Sequence, residues 1–225
     1  MTSQQITTVL FFELEGFENK RWAFSQVVYS PERLKDVPGI EFFKSLGTGG
    51  GNGFGLIPSF SKYTWLIVWK SKDFATDFFS TNRYLKEYQT RCKSHQVLYL
   101  ENIISNGLWS KKNPFRKSEN QNPSSKILVL TRATIKLNKL IQFWFRVGST
   151  AKSLYNSPGI LFASGVGEVP LIHQATLTIW DNEESMKSFA YQNPVHRKII
   201  SLTRHYNWYK EELFARFNIV EEIEN

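Results

Sequence analysis

Pro158-Gly-Ile-Leu-Phe-Ala-Ser-Gly-Val-Gly-Glu-Val-Pro-Leu-Ile-His-Gln-Ala-Thr-Leu-Thr-Ile-Trp180 is the stretch that decides the fold. A Pro-Gly pair opens a strand, a glycine-bearing turn follows, and an alternating apolar segment closes on tryptophan. The same plan stands earlier in the chain, where Pro38-Gly39-Ile40 leads a strand, Gly47 to Gly53 forms the turn, and a second strand ends at Trp69. Working outward, each copy is preceded by a β-rich run, Ile6 to Leu14 or Ile127 to Ile135, and a helix-like aromatic stretch, Lys20 to Tyr29 or Lys139 to Tyr155. Nine residues past each tryptophan a helix places a phenylalanine, Phe78 or Phe189, and a strand-like segment near Val97 to Leu100 or Leu213 to Ile219 completes the unit. The order is β-α-β-β-α-β twice, a duplicated ferredoxin-like unit of the α+β class. The two units are expected to pair their sheets as a dimeric-type α+β barrel within one chain, which covers apolar sheet surface and protects the edges. The boundaries read as residues 1–105 for the N-terminal half, 106–125 for a polar linker broken by Pro114 and Pro123, and 126–225 for the C-terminal half.

Composition bounds the chemistry. With 225 residues, 41% of them apolar and 18 of them phenylalanine, the chain buries a substantial core. One cysteine, Cys92, excludes an internal disulfide framework and any Cys-rich zinc or iron–sulfur site. Cys92 reads as lying late in a helix with no base beside it. No signal-peptide layout opens the sequence, and no apolar run approaches the roughly 20 residues that span a bilayer. A cytoplasmic protein is expected, at most peripheral to the inner face of the cell membrane. The net charge of +8 is spread out, with its densest cluster at Lys111, Lys112, Arg116 and Lys117. No nucleic-acid signature accompanies it, so anionic lipid or an acidic redox partner is the better match.

Several motifs fail on inspection. The stretch Gly47 to Gly53 lacks the Lys-Ser/Thr pair and the helix of a phosphate loop, since Phe54, Pro58 and a strand follow. It reads instead as a loop able to pass close to a ligand. No Gly-x-Ser-x-Gly elbow is present. The four histidines are dispersed, leaving a two-His-one-carboxylate set from His173, His196 and a glutamate as the one non-haem metal arrangement to weigh.

His196 follows Asn193-Pro194, a good N-cap and first-turn pair, and shares a helix face with Ile199, Ile200 and Thr203. An imidazole on such a face beside a sheet can hold a haem iron at the bottom of an apolar slot. It can equally be a core histidine bonded to backbone, which is the more ordinary outcome. His173 begins the strand before Trp180 and either faces the same slot or ends a strand. His205, at a helix end, and His95 read as structural. Arg132 and Arg146 suit bidentate anion contacts or plain surface salt bridges.

Taken in order, the stretches Arg21-Trp-Ala-Phe-Ser-Gln26, Phe42-Phe-Lys-Ser-Leu-Gly-Thr-Gly49, Leu130-Thr-Arg-Ala-Thr-Ile-Lys136, Phe143-Trp-Phe-Arg146, the Gly-Glu-Val-Pro…His-Gln segment up to Trp180, the His196 region and Trp208-Tyr-Lys-Glu-Glu-Leu-Phe-Ala-Arg-Phe217 resemble the bacterial spheroidene monooxygenases of carotenoid biosynthesis. The resemblance runs through nearly the whole chain. It implies a haem b enzyme that oxygenates a carotenoid end group at C-2, using O2 and electrons from a ferredoxin-type donor. A second round at the same carbon would give the 2-keto product. Within that picture, position in the fold casts His196 as the axial iron ligand, His173 as a distal residue, and Arg132 and Arg146 as propionate contacts. An aromatic content of 15% can line the long groove a C40 hydrocarbon needs. Two further readings stay open: a non-catalytic carrier of haem or another apolar ligand, and a cofactor-free or haem-degrading enzyme on the same barrel.

Overall fold

The computed structural model describes residues 4–50, 55, 57–120 and 126–224, with all their side chains except those of 147–152. Residues 51–53 of the glycine-rich stretch and 121–125 of the connector lie outside the described residues. The first half runs β1 (Ile6–Leu14), α1 (Phe17–Leu34), β2 (Ile40–Gly49), β3 (Pro58–Trp69), α2 (Lys72–Thr81), α3 (Arg83–Arg91) and β4 (Cys92–Gly107). The second runs β5 (Ile127–Ile135), α4 (Leu140–Tyr155), β6 (Ile160–Val169), β7 (His173–Trp180), α5 (Glu183–Gln192), α6 (Pro194–Tyr206) and β8 (Tyr209–Glu224). The predicted unit is present twice, with a pair of helices after each tryptophan, as the Phe189 and His196 segments suggested for the second half and where the first half suggested one. The pair arises because Asn82 and Asn193 stand in extended backbone, and each accepts an amide hydrogen bond as N-cap of the second helix. Cys92 opens β4 rather than ending a helix.

The Pro-Gly turns repeat in detail. Gly39 and Gly159 adopt φ of +81° and +77°, the left-handed region that glycine enters without steric cost. A Cβ at Gly39 would overlap Phe74, and one at Gly159 would overlap Ser185. Each turn accepts the amide that follows the tryptophan, from Lys70 to the Gly39 carbonyl at 2.8 Å and from Asp181 to the Gly159 carbonyl at 2.9 Å.

The strands close into an antiparallel barrel in the order β1-β3-β2-β6-β7-β5-β8-β4. The halves meet along a long β4–β8 ladder, from Gln96↔Glu224 to Gly107↔Leu213, and along a short β2–β6 seam, Gly47↔Gly167 and Thr48↔Val166. Inward-facing side chains such as Val9, Leu46, Leu98, Leu130, Leu177 and Phe217 fill the interior, as expected for a barrel of this strand number. Polar by composition, the connector nevertheless sends Trp109 and Phe115 into this interior, edge-on to Phe42 and Phe217 respectively. Burying each such aromatic contributes about 2–3 kcal/mol.

The helices lie outside the barrel and cover the outer sheet face unequally. In the first half a single continuous cluster joins Leu10, Phe12, Trp65, Trp69, Phe78, Tyr88 and Tyr99. In the second half two separate clusters form. One gathers Leu154, Ala163, Trp180 and Met186 with Phe189, and the other gathers Ile135, Phe143 and Trp208 with Trp144 and Tyr206.

Candidate active site

The gap between those two clusters follows from side-chain size at matched positions. Across the first half's outer face, strand register sets Ser45, Trp65, Leu10 and Val97 in one row. All four are buried, Trp65 and Leu10 completely. Trp65 stands four residues before Trp69, and four residues before Trp180 stands Thr176. The matching row is therefore Gly165, Thr176, Thr131 and Phe214. Thr131 and Phe214 are exposed. Where the first half packs an indole and an isobutyl group, the second offers a shallow floor walled by aromatic clusters.

Helix α6 packs against α4 and α5 and reaches from one cluster to the other. Its first turn carries His196 against the Trp180 cluster, and its last turn carries Tyr206 in the Trp208 cluster. The two residues are about 15 Å apart at the helical rise of roughly 1.5 Å per residue. Asn193 caps the helix, accepting the Val195 amide at 3.0 Å and the His196 amide at 3.1 Å, with Pro194 at the first helical position. The cap fixes where the imidazole sits. Its ring packs on Phe189 with centroids 4.8 Å apart, and Nδ1 lies 3.0 Å from the Ala190 carbonyl. A carbonyl only accepts, so Nδ1 carries the proton and donates it. Nε2 then keeps its lone pair, and no hydrogen-bond partner meets it among the described residues. Burial pushes the His196 pKa below its ordinary 6.5, outweighing the opposing hydrogen bond to Ala190, and keeps the ring neutral. A neutral imidazole with one nitrogen tied to backbone and the other free is the form that ligates a metal. A cleft of about 460 Å³ lined mostly by polar residues, Ser157, Asn182, Glu184, Ser185, Ser188 and Gln192 with Phe189 and Asn193, lies nearby, and His196 does not line it.

Arg146 projects from α4 at the other end of α6. Its guanidinium lies over the Tyr206 ring at 5.2 Å and reaches the Gln142 carbonyl of its own helix at 3.3 Å. It is exposed and has no carboxylate partner among the described residues, so an anionic group could still take it.

His173 and Arg132 come together elsewhere. Both share strand parity with the interior residues Ala175, Leu177, Leu128 and Leu130, so they face into the barrel. Glu168 is the hub there. It pairs with Lys44, lies 3.6 Å from Arg132 and 3.6 Å from His173 Nδ1, and accepts the Trp109 indole N–H at 3.2 Å. Arg132, almost wholly buried, also pairs with Glu211. The sheet thus separates His196 and Arg146, on its outer side, from His173 and Arg132, on its inner side. His173, His196 and a glutamate do not converge, and no cluster of three metal-ligating side chains exists among the described residues. His205 packs on Tyr206 and His95 meets Gln89. Burial pushes the Cys92 thiol up to about 12, which fits an unreactive side chain.

The floor residues Gly165, Thr176 and Thr131 were not singled out by the sequence reading. Counting back from the paired tryptophans, once the repeat is aligned, would have found them.

Fold and site define a single-chain duplicated ferredoxin-like barrel with a histidine-edged floor on one half. Two solved structures share the architecture. One is an aldoxime dehydratase, 8% identical with a TM-score of 0.61 over 99% of this chain and 84% of that one. The other is an aldoxime dehydratase in complex with butyraldoxime, 7% identical with a TM-score of 0.65 over 97% and 80%. No protein-family model matches. Spheroidene monooxygenase of Rhodobacter capsulatus is 30% identical over 217 residues, spanning 96% of this chain and 90% of the relative. That of Cereibacter sphaeroides is 30% identical over 220 residues, spanning 97% and 68%. The chain belongs to the spheroidene monooxygenase family, and it is an enzyme of the monooxygenase class.

Proposed function

We propose that this chain is a haem-dependent carotenoid monooxygenase that hydroxylates an end group at C-2 and then oxidises the same carbon to the ketone. The observation that carries the reading is His196, a neutral, half-buried imidazole with Nδ1 bonded to the Ala190 carbonyl and Nε2 left to bind iron. The floor of Gly165, Thr176 and Thr131 would lie against the flat face of the macrocycle, with the Trp180–Phe189 and Phe143–Trp208 clusters at its rim. Arg146 would hold a propionate by charge-assisted hydrogen bonds. His173 and Arg132, engaged with Glu168 and Glu211 inside the barrel, would hold the barrel end instead.

Bound haem supplies reductive activation of O2, so that one oxygen atom enters a C–H bond and the other leaves as water with two electrons and two protons. The protein's part is to exclude bulk water from the floor, keep His196 unprotonated and present an apolar surface to the polyene. A ferredoxin-type donor is the proposed source of electrons, and the net charge of +8 suits both an acidic donor and an anionic membrane surface.

The test begins with absorption spectra of haemin-loaded protein before and after dithionite and CO. A Soret band that shifts at each step is expected, retained in His173→Ala and lost in His196→Ala. Ferredoxin-driven turnover of spheroidene should then yield the hydroxy and keto products. A colourless protein, or the reverse pattern in the two variants, contradicts the assignment. A haem-loaded chain that makes no product is a carrier.

A further inference from the structure

On α4, three large apolar side chains at four-residue spacing point to solvent. Leu137, just before the helix, is 71% exposed, Ile141 76% and Phe145 86%. The adjoining face of the same helix, with Leu140, Phe143 and Trp144, packs into the cluster at one side of the candidate site. A helix whose buried face is already satisfied has no folding reason to expose further large apolar side chains beside it.

The neighbouring turn adds an independent feature. The Trp144 indole donates to the Leu171 carbonyl at 3.1 Å, tying the β6–β7 turn to α4. In that turn the Ile172 amide donates to the Val169 carbonyl at 3.2 Å, Pro170 follows Val169, and Leu171 adopts φ +67°. The position normally belongs to glycine or asparagine. Here it is a leucine, partly exposed beside partly exposed Val169. Folding alone would favour glycine at this position.

Charge points to the occupant. From Arg132 up to Glu168 the chain contains no acidic residue, while Lys136 and Lys139 flank Leu137. Apolar side chains flanked by cations match an interface of acyl chains beneath anionic headgroups. No described helix is long and apolar enough to cross a membrane, so such a surface would lie on the bilayer.

We infer that α4 and the Val169–Ile172 turn form a membrane-docking face that inserts Leu137, Ile141, Phe145 and Leu171 into an anionic bilayer. This rests on the proposed function in one respect: the docked helix also walls the candidate site, so an apolar polyene passes from the membrane to the site without crossing water.

Co-sedimentation of the full chain with phosphatidylcholine vesicles, with and without phosphatidylglycerol, tests the face directly. Binding to the anionic vesicles is expected, weakened by salt and reduced roughly tenfold in Ile141→Ser/Phe145→Ser. Leu171→Gly should bind several-fold more weakly while melting at or above the wild-type temperature, because glycine suits the turn. A purely structural leucine would give lower stability and unchanged binding, which overturns the inference. So would wild-type protein that ignores anionic vesicles, a dimer that Phe145→Ser dissociates, or binding to an acidic ferredoxin in place of vesicles. Carotenoid turnover assayed in detergent micelles separates the two claims. Vesicle binding without product breaks the proposed function alone, and product without vesicle binding breaks this inference alone.

Discussion

The two halves of the barrel share strand order, register and turn glycines, yet they treat their outer faces in opposite ways. The first half fills its row with Trp65 and Leu10 and becomes a continuous aromatic core. The second half puts Thr176 and Thr131 at the same register positions and leaves a floor between two clusters. One copy of the unit thus packs its outer face tightly, and the other leaves the same row less filled. Protein interiors are close-packed, so the missing volume of an indole is a feature to be explained.

The largest effect is expected where the packed copy is emptied. Trp65→Ala leaves a cavity among Phe12, Phe43, Tyr84 and Tyr88 and should cost about 3–5 kcal/mol in chemical denaturation. A loss below 1 kcal/mol would mean that the first half is not the packed partner this comparison requires. Next come the turn glycines. Gly39→Ala and Gly159→Ala each force a Cβ into the left-handed region and into a neighbour, and each should cost about 1–2 kcal/mol or more. The rigid Phe74 ring opposes the first and the Ser185 hydroxymethyl the second, so Gly39→Ala should be the worse, measured by the shift in melting temperature.

The smallest effect is electrostatic. His196 has its pKa lowered below 6.5 by burial, and so does His95. A base that is harder to protonate when folded contributes stability fully above the unfolded pKa of 6.5. That share is lost as pH falls from there toward the folded pKa, because the unfolded chain takes up the proton first. His196→Gln should therefore flatten part of the decline in stability below pH 6.5, with His95 keeping its own share. An unchanged slope would show that His196 is not held neutral.

How much of this was legible beforehand varies by element. The repeat was plain because Pro38-Gly39 and Pro158-Gly159, with Trp69 and Trp180, mark positions that only certain residues can fill. The N-cap at Asn193 was equally plain, since capping is local chemistry. Which surface of the sheet Arg132 faces could not be read. β5 is apolar on both faces, with Leu128 and Leu130 inward and Ile127, Val129 and Ile135 outward, so alternation carries no sign of inside or outside. The sequence lets His173 either face the same slot as His196 or end a strand, and strand parity puts a sheet between the two. The connector hid Trp109 and Phe115 because an average over a polar segment conceals two side chains whose long-range packing decides their place.

Haemin titration of the wild-type chain beside Thr176→Trp asks whether the second half's floor is a binding surface. That substitution gives the second half the first half's tryptophan. One haem per wild-type chain is expected and none for Thr176→Trp, which should keep a wild-type or higher melting temperature because the added ring fills unpacked space. Equal haem uptake by a folded Thr176→Trp, or none by the wild type, would contradict binding at the floor.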